Sequence, residues 1–364
     1  MASTRTSRDP SRAQLGSPSW TPSRLDAKAR PYSAGPNSSP GLSSNSRRLT
    51  ASTRYLELRL VEVTAAGKRE PWLTERDAAI LQALDSYRYL DRRQIQALFF
   101  DGPRSCQYRL KWLVDHGLVH AWEAVIRPGH VRSASIYLLT GHGATILAQR
   151  RDDDPRLFIL RAEHALARHH HIIHDLEANQ FFVDLAADMR GTPSIGLYHW
   201  VGEHGIRRAY AEDHGRGPVP DGWGRVLVDE RELFLHLEWD RGSEQTRRLH
   251  GKLAAYVSYF RDRPQASCNH VLLVVPTEER HRQARRVAAH LVPRDHECCR
   301  IWTAVRADVA RSGPLAAIWS EVIAPDSRVA IPQMPSRPGP RRPVDACIGK
   351  PRWWEQRPGG GEGV

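Results

Sequence analysis

The stretch LFLHLEWDRGSEQTRRLHGKLAAYVSYF, residues 233–260, decides the fold of the second half of the chain. It opens with alternating apolar residues, a pattern typical of a strand with one buried face. A helix is predicted from residue 244 to about residue 260, because apolar residues recur there at intervals of three and four. Between the two elements stand Glu238 and Asp240, so the strand ends on two carboxylates two positions apart.

Strand and helix signals continue on both sides of this stretch. Helices are predicted over 172–189 and 280–292, and strands over 194–201, 222–228, 232–240, 270–276 and 300–305. The order is helix, three strands, helix, strand, helix, strand. Such an alternation indicates an α/β sandwich, which we place at residues 160–323. The charged segment RRDDDPRL, residues 150–157, is predicted to separate it from an earlier domain.

The earlier domain, residues 70–150, shows three helix signals in succession. Thr74 and Asp91 are suited to the N-cap positions of the first two helices. Two strand signals then flank a turn at residues 128–129. Three helices followed by a hairpin predict a winged helix-turn-helix, a fold that binds DNA or docks other proteins.

The third helix of this domain has two chemically different faces. Its apolar face is formed by Cys106, Leu110 and Leu113. The nearly opposite face carries Arg104, Gln107, Tyr108 and Lys111, while Arg127 and Arg132 flank the turn of the hairpin. Arginine and glutamine can read base edges, and lysine can hold phosphate. These six residues are therefore predicted to contact double-stranded DNA, with an ordinary amphipathic surface helix as the alternative.

The net charge of +12 is distributed unevenly along the chain. Residues 1–54 hold nine Lys and Arg against two acids (+7), and residues 324–364 hold seven against four (+3), which leaves +2 for residues 55–323. Both tails are rich in Pro, Gly, Ser or Arg and lack an apolar pattern, so they are predicted to be disordered. Basic tails can hold polyanions, although a solvated tail without a partner has the same composition.

Cysteine usage and hydropathy favour a cytoplasmic protein. The five cysteines form no CxxC pair, which argues for reduced thiols and against structural zinc. No stretch approaches the roughly 18 apolar residues of a membrane span. His170 and His174 have a spacing that can bind zinc, or they cluster by chance. Trp353 and Trp354 can stack on bases or dock onto a partner.

The carboxylates also carry a family resemblance. Pro220-Asp221 opens the second strand of the predicted sandwich, and Glu238-Trp239-Asp240 ends the third. This order and placement resemble the PD-(D/E)xK nuclease superfamily. The combination of PDGWG, EWDRGSE and KLAAY (residues 252–256) is similar to the replication-relaxation family of plasmids and integrative elements, over about residues 70–320. The resemblance implies a winged helix before a nuclease-like domain, DNA as target, and relaxases or replication initiators as partners.

A metal site is one interpretation of the acids. Asp221, Glu238 and Asp240 are expected to meet at the strand ends, where their hard oxygen ligands would suit Mg²⁺ or Mn²⁺. Glu177 on the preceding helix is a further candidate ligand. The nuclease motif, however, requires lysine where Asp240 stands, and Lys252 on the next helix is the candidate replacement.

The other interpretation of these acids is structural. Asp240 would then form ion pairs with Arg241, Arg247 or Lys252. We interpret the sequence as a DNA-binding accessory protein with an inactive nuclease-like domain. A metal-dependent deoxyribonuclease using Asp221, Glu238, Asp240 and Lys252, and a protein-docking assembly factor, are the alternatives.

Overall fold

The computed structural model describes residues 58–60, 72–125, 133–167, 171–212, 217–242, 245–261, 268–292, 299–324, 327–339 and 344–356. The predicted basic tail at residues 1–54 and the predicted wing residues Arg127 and Arg132 lie outside this set.

The first part of the chain combines three helices with a small antiparallel sheet. The helices are α1 (Glu75–Tyr87), α2 (Arg92–Phe99) and α3 (Pro103–Asp115), and the strands are β1 (Leu58–Leu60), β2 (Leu90–Asp91), β3 (Val119–Val125) and β4 (Ser133–Leu139). The strand order is β1-β3-β4-β2, with β3 and β4 paired as a hairpin. The three helices and the hairpin follow the sequence prediction.

Side-chain caps fix where the first two helices begin. Thr74 accepts from the backbone N–H of Asp77, and the Asp77 carboxylate accepts from the backbone N–H of Thr74. Asp91 and Gln94 form the same reciprocal box at the start of α2. Each box satisfies two backbone N–H groups that a helix start leaves without partners, so both predicted N-caps are confirmed.

Two helices flank the junction that the sequence predicts at residues 150–157. They are α4 (Gly141–Arg151) and α5 (Pro155–Ala167), and neither was expected from the sequence. The chain changes direction at Asp152, whose left-handed conformation (φ 55°) ends α4. The junction is therefore a tight turn between two packed helices.

The rest of the described chain forms a second, larger sheet and further helices. The helices are α6 (Ile172–Met189), α7 (Glu203–Glu212), α8 (Thr246–Arg261), α9 (Glu278–Ala289) and α10 (Arg306–Ser312). The strands of the second sheet are β5 (Ile195–Gly202), β6 (Gly222–Val228), β7 (Arg231–Trp239), β8 (Asn269–Val275), β9 (Arg300–Val305), β10 (Trp319–Glu321), β11 (Arg328–Val329) and β12 (Arg337–Pro338). The path runs β11-β10-β9-β8-β7-β6-β5, with β12 paired to the start of β7. The predicted mixed α and β architecture is confirmed, and α7 is an addition to it.

Strand direction explains how the acids come to lie at one edge. Strands β7, β8 and β9 are parallel, whereas β6 runs antiparallel to β7. The end of β7 therefore lies beside the start of β6, and Gly222 pairs with Leu237. Asp221, which precedes β6, is thus held near Glu238.

Helix α6 joins the two sheets through one continuous apolar core. Phe182 packs over β6, where a Cβ atom on Gly222 or Gly224 would lie only 2.4 or 2.7 Å from its ring. The Phe182 ring also stacks on Trp200 of β5, which stacks on Tyr87 of α1. Because this cluster includes α1–α3, residues 54–364 form one compact unit.

A buried amide strengthens the same junction. Asn179 of α6 donates from Nδ2 to the backbone oxygens of Tyr87 (3.1 Å) and Tyr89 (2.8 Å). Gln94 of α2 donates to the Leu176 oxygen at 2.9 Å. These bonds satisfy carbonyl groups that would otherwise be buried without partners.

The segment 324–364 differs from the predicted disordered tail. Its described residues, 327–339 and 344–356, pack against the fold, and its buried side chains include Ile331, Met334, Ile348, Lys350 and Trp353. Strand β12 and an Ile348 bridge to Leu197 attach it to β7 and β5. The prediction was wrong here because scattered apolar residues can anchor an irregular segment without any sequence period.

Lys350 shows how firmly this segment is held. Its ammonium donates to the backbone oxygens of Met189 (2.7 Å) and Thr192 (2.6 Å), which lie at the end of α6. A cation at the carboxyl end of a helix interacts favourably with the helix dipole. Gly349 has φ of 86° and leaves room for Ala186, so a side chain at this position would strain the contact.

Trp353 and Trp354 lie in the same segment. Both rings contact Phe99 of α2, and the Trp353 indole N–H donates to the Leu98 oxygen at 3.1 Å. Trp353 is buried, so in this conformation its ring is not available to stack on bases.

None of the helices described here combines the length and apolar character that crossing a membrane requires. The described cysteines, Cys106, Cys268, Cys299 and Cys347, are buried free thiols.

Candidate functional site

Helix α3 separates its side chains as the sequence predicts. Cys106, Leu110 and Leu113 are fully buried beneath it. Arg104, Gln107, Tyr108 and Lys111 are all exposed. Tyr108 retains 74% of its accessible surface, which is unusual for an aromatic side chain and leaves its ring available for a ligand.

A buried ion pair orients α3 against α1. Arg109 donates from Nε to Asp77 at 2.6 Å and from a second guanidinium nitrogen to the other oxygen of the same carboxylate. The Asp77 side chain is completely buried. The Arg109 guanidinium also lies 3.9 Å over the Trp112 ring. Bidentate geometry of this kind fixes the rotation of the helix and so determines which residues face outward.

The exposed cations of α3 are only weakly engaged. Lys111 forms an ion pair with Asp115 at 2.9 Å, but it keeps 75% of its side-chain surface, and such exposed pairs contribute little. Arg104 has no ion-pair partner among the described residues. Both side chains can therefore turn to an external anion at small cost.

At the second sheet, Glu238 lies in a buried pocket formed by β7 and α8. It accepts a hydrogen bond from the Tyr256 hydroxyl at 2.6 Å and forms an ion pair with Lys252. Burial raises the pKa of Glu238 to about 7, against the charge of Lys252, and the charge of nearby Asp221 contributes to the rise. The structure thus brings Glu238 and Lys252 together, although they are fourteen positions apart.

Asp221 is held from the opposite side of the same edge. One oxygen accepts from the backbone N–H of Trp239 at 2.7 Å, and the other lies 3.0 Å from His174 Nε2. Burial would raise the pKa of Asp221, but the His174 hydrogen bond and the charge of Lys252 outweigh it, so the pKa lies below its usual value. Asp221 is therefore a stable carboxylate.

The contact with Asp221 also raises the pKa of His174. Burial lowers its pKa, but the hydrogen bond and charge of Asp221, with the charges of Asp175 and Glu203, leave the pKa above its ordinary value. In the described residues His174 thus serves as a partner of Asp221. The other member of the suggested zinc pair, His170, lies outside those residues.

Asp240 has separate partners. It lies one residue beyond the end of β7, and its carboxylate accepts from Arg280 of α9 and, at 2.7 Å, from the Gly242 backbone N–H. Its backbone oxygen accepts from Arg306 at 2.8 Å. The sequence suggested Arg241 and Lys252 as ion-pair partners of Asp240. In the structure Lys252 is paired with Glu238, and Arg241 lies 3.5 Å from Glu177.

These arrangements do not fit a divalent metal ion. Nowhere in the described ranges do three histidine, cysteine or carboxylate side chains lie close enough together to share one. Asp221, Glu238 and Asp240 are instead each joined to a separate histidine, lysine or arginine. Glu177, the other suggested ligand, accepts from the Trp239 indole N–H at 3.1 Å.

Sequence reasoning missed several members of this edge. Tyr256 was expected only as an inward-facing core residue of α8, yet its hydroxyl binds Glu238. Arg280 and Arg306 lie in elements that begin 39 or more positions after the end of β7, so no local spacing pointed to them. Arg306 also lies 4.8 Å from the Trp239 ring, which it covers.

The family comparison covers both regions described above. A family model for replication-relaxation matches residues 81–275, from within α1 to the end of β8. The match includes α3, Asp221, Glu238 and Lys252. No curated protein matches the chain. Because the family model covers more than half of the sequence, this protein belongs to the replication-relaxation family.

Proposed function

We propose that this protein binds double-stranded DNA as an accessory factor in the replication or transfer of a plasmid or other mobile element. Membership of the replication-relaxation family supports a role in replication, because the family is named for that process. The exposed face of α3 supports the ligand, and it is the observation on which the proposal depends.

In this proposal residues 72–139 act as a winged helix-turn-helix. Three helices and a following antiparallel hairpin are the parts that such a module requires. Helix α3 enters the major groove, where Arg104 and Gln107 read base edges and Lys111 binds phosphate. Tyr108 contacts the sugar–phosphate backbone or a base edge beside them. Arg127 and Arg132, which lie between β3 and β4 in the sequence, contact the flanking backbone in this proposal.

The test is the double variant Arg104→Ala, Lys111→Ala in the full chain. We expect DNA affinity to fall by about 10- to 100-fold, because one base contact and one phosphate contact are lost. The slope of log affinity against log salt should also become shallower by about 1 to 2. Fluorescence anisotropy with a labelled duplex, measured over a salt series, reports both quantities.

A matched control removes two exposed arginines elsewhere. Arg231→Ala with Arg311→Ala makes the same change in net charge, and both side chains are exposed on other elements, β7 and α10. If the α3 variant and this control bind DNA equally well, α3 is not the DNA-contacting surface and the proposal is wrong.

We further propose that the second sheet belongs to a nuclease-like domain that no longer cleaves. The ion pairs of Glu238 and Asp240 support this view, because they occupy carboxylates that a metal would need. The domain would then serve assembly, with a relaxase or replication initiator on the same DNA as the partner. One observation favours the alternative of metal-dependent cleavage: Lys252 reaches Glu238 from the following helix.

A plasmid-nicking assay separates these two possibilities. Supercoiled plasmid incubated with the protein and Mg²⁺ or Mn²⁺ should remain supercoiled. Nicking that persists through purification and disappears in both Asp221→Ala and Glu238→Ala variants would establish the alternative. Glu163→Ala, in the exposed face of α5, is the control for a general effect of losing a carboxylate.

A further inference from the structure

The outer helices of the second sheet carry an unusual concentration of positive charge. Helices α8 and α9 together contain eight Lys and Arg against two Glu, a net charge of +6. The whole of residues 55–323 has a net charge of only +2, so the remainder of that range is net acidic by four. The basic excess of the folded part is therefore located on one layer.

Four of these cations point to solvent. Arg247 and Arg248 lie in the first turn of α8, and Arg282 and Arg286 lie one turn apart on the outer side of α9. All four are exposed, whereas Leu249 of α8 and Ala284 of α9 face the sheet. None of the four forms an ion pair with another residue in the described ranges.

Arg247 and Arg248 do not stabilise α8, so helix stability does not account for their positions. A helix dipole is positive at its start, so cations in the first turn are unfavourable there. The first turn of α8 contains no acidic residue to compensate. A negatively charged ligand over this turn would remove the repulsion and gain from the dipole as well.

The two helices present these cations as one surface. Gln283 of α9 donates to the Thr246 hydroxyl of α8 at 2.6 Å, which places the start of α8 beside the second turn of α9. Their inner sides share an apolar cluster on β8, where Val271, Leu273 and Val275 face them. The packing of α8 and α9 therefore places the four cations on one continuous surface.

This surface lies across the second sheet from α3. Alternate β8 residues, Leu272 and Val274, face the opposite core, which contains α6 and helices α1–α3. A ligand on the outside of α8 and α9 is thus separated from the exposed face of α3 by the sheet and α6. One straight DNA segment held by α3 would not explain the cations of α8 and α9.

We propose that the outer surface of α8 and α9 binds the phosphodiester backbone of nucleic acid, as a contact site additional to α3. The choice of nucleic acid over other polyanions rests on the proposed function. Arginine matches phosphate oxygens through paired N–H donors. Arg282 and Arg286 are separated by about 6 Å along the helix, a distance that lets them reach neighbouring phosphates of one strand. The contact is expected to be independent of base sequence, because the four arginines bind phosphate oxygens, which every nucleotide carries.

The test is the full-length variant Arg247→Gln, Arg248→Gln, Arg282→Gln, Arg286→Gln. Binding to a random-sequence duplex should weaken at least about tenfold near 0.1 M salt, with a salt slope shallower by about 2 to 4, since up to four phosphate contacts are lost. The thermal midpoint should not fall, because repulsion at the start of α8 is relieved. If the variant is not folded, the pair Arg282→Gln, Arg286→Gln alone should reduce the slope by about 1 to 2.

The control has the same change in charge at four other exposed arginines: Arg156, Arg207, Arg231 and Arg311. Equal affinity and salt slope for the two quadruple variants would overturn the inference. This failure is distinguishable from failure of the proposed function, which the α3 double variant tests on its own. If both surfaces bind, combining the α3 and α8–α9 changes should reduce the salt slope by the sum of their separate effects.

Discussion

Trp353→Ala is expected to lower the free energy of unfolding by about 3–5 kcal/mol, the range for removing a buried tryptophan. The Trp353 ring packs against Phe99 of α2, and only 3% of its surface is exposed. Alanine would leave a cavity there. It would also leave the Leu98 oxygen without the indole donor that now binds it at 3.1 Å.

Chemical denaturation followed by circular dichroism measures this loss. Trp72→Ala is the control, because 86% of the Trp72 surface is exposed and its removal should change stability by less than about 0.5 kcal/mol. An unfolding midpoint for Trp353→Ala equal to that of the control would mean that residues 344–356 are not packed on α2 in solution.

Glu238→Gln is expected to change how stability depends on pH. Burial raises the pKa of Glu238 from 4.5 in an unfolded chain to about 7. Between these values the folded protein holds a proton that the unfolded chain has released. The protonated Glu238 side chain therefore adds to the free energy of unfolding. This contribution is fully present below pH 4.5 and is lost as the pH rises through about 7. The glutamine variant has no proton to lose at this position.

The difference in unfolding free energy between wild type and Glu238→Gln should thus fall by on the order of 3 kcal/mol from pH 4.5 to pH 8. Denaturation series at several pH values measure it. Glu163→Gln changes an exposed carboxylate and should leave the profile of the wild type unaltered. A wild-type to Glu238→Gln difference that is flat or rises with pH would show that Lys252 stabilises the charged form more than burial destabilises it.

The regular elements of the fold were largely predictable from sequence. The predicted helix over 172–189 and the strands over 222–228 and 300–305 have the observed bounds, because their apolar periods are clear. Helix α7 was missed, since Gly205 and few apolar residues give it no helical signal. The anchored residues in 327–339 and 344–356 were missed for a different reason. Ile331, Met334, Ile348 and Trp353 obey no period, and only tertiary contacts define their positions.

The candidate site was predictable only in part. The two faces of α3 followed from spacing alone, because a helix turns about 100° per residue. At the second sheet, alternation along β7 placed Glu238, but Asp240 lies past the strand end, where alternation no longer determines direction. Its partner Arg280 lies forty positions away, and pairing of charges at such separations depends on topology rather than spacing.

The contact between Leu98 and Trp353 joins residues 255 positions apart. At synthesis rates of about 5–20 residues per second, the ribosome adds Trp353 roughly 13–50 s after Leu98. During that interval Phe99 of α2 lacks its contact with Trp353, although α1 and α3 have already been made. The packing around α2 is therefore completed only late in translation, long after α1 and α3 have been made.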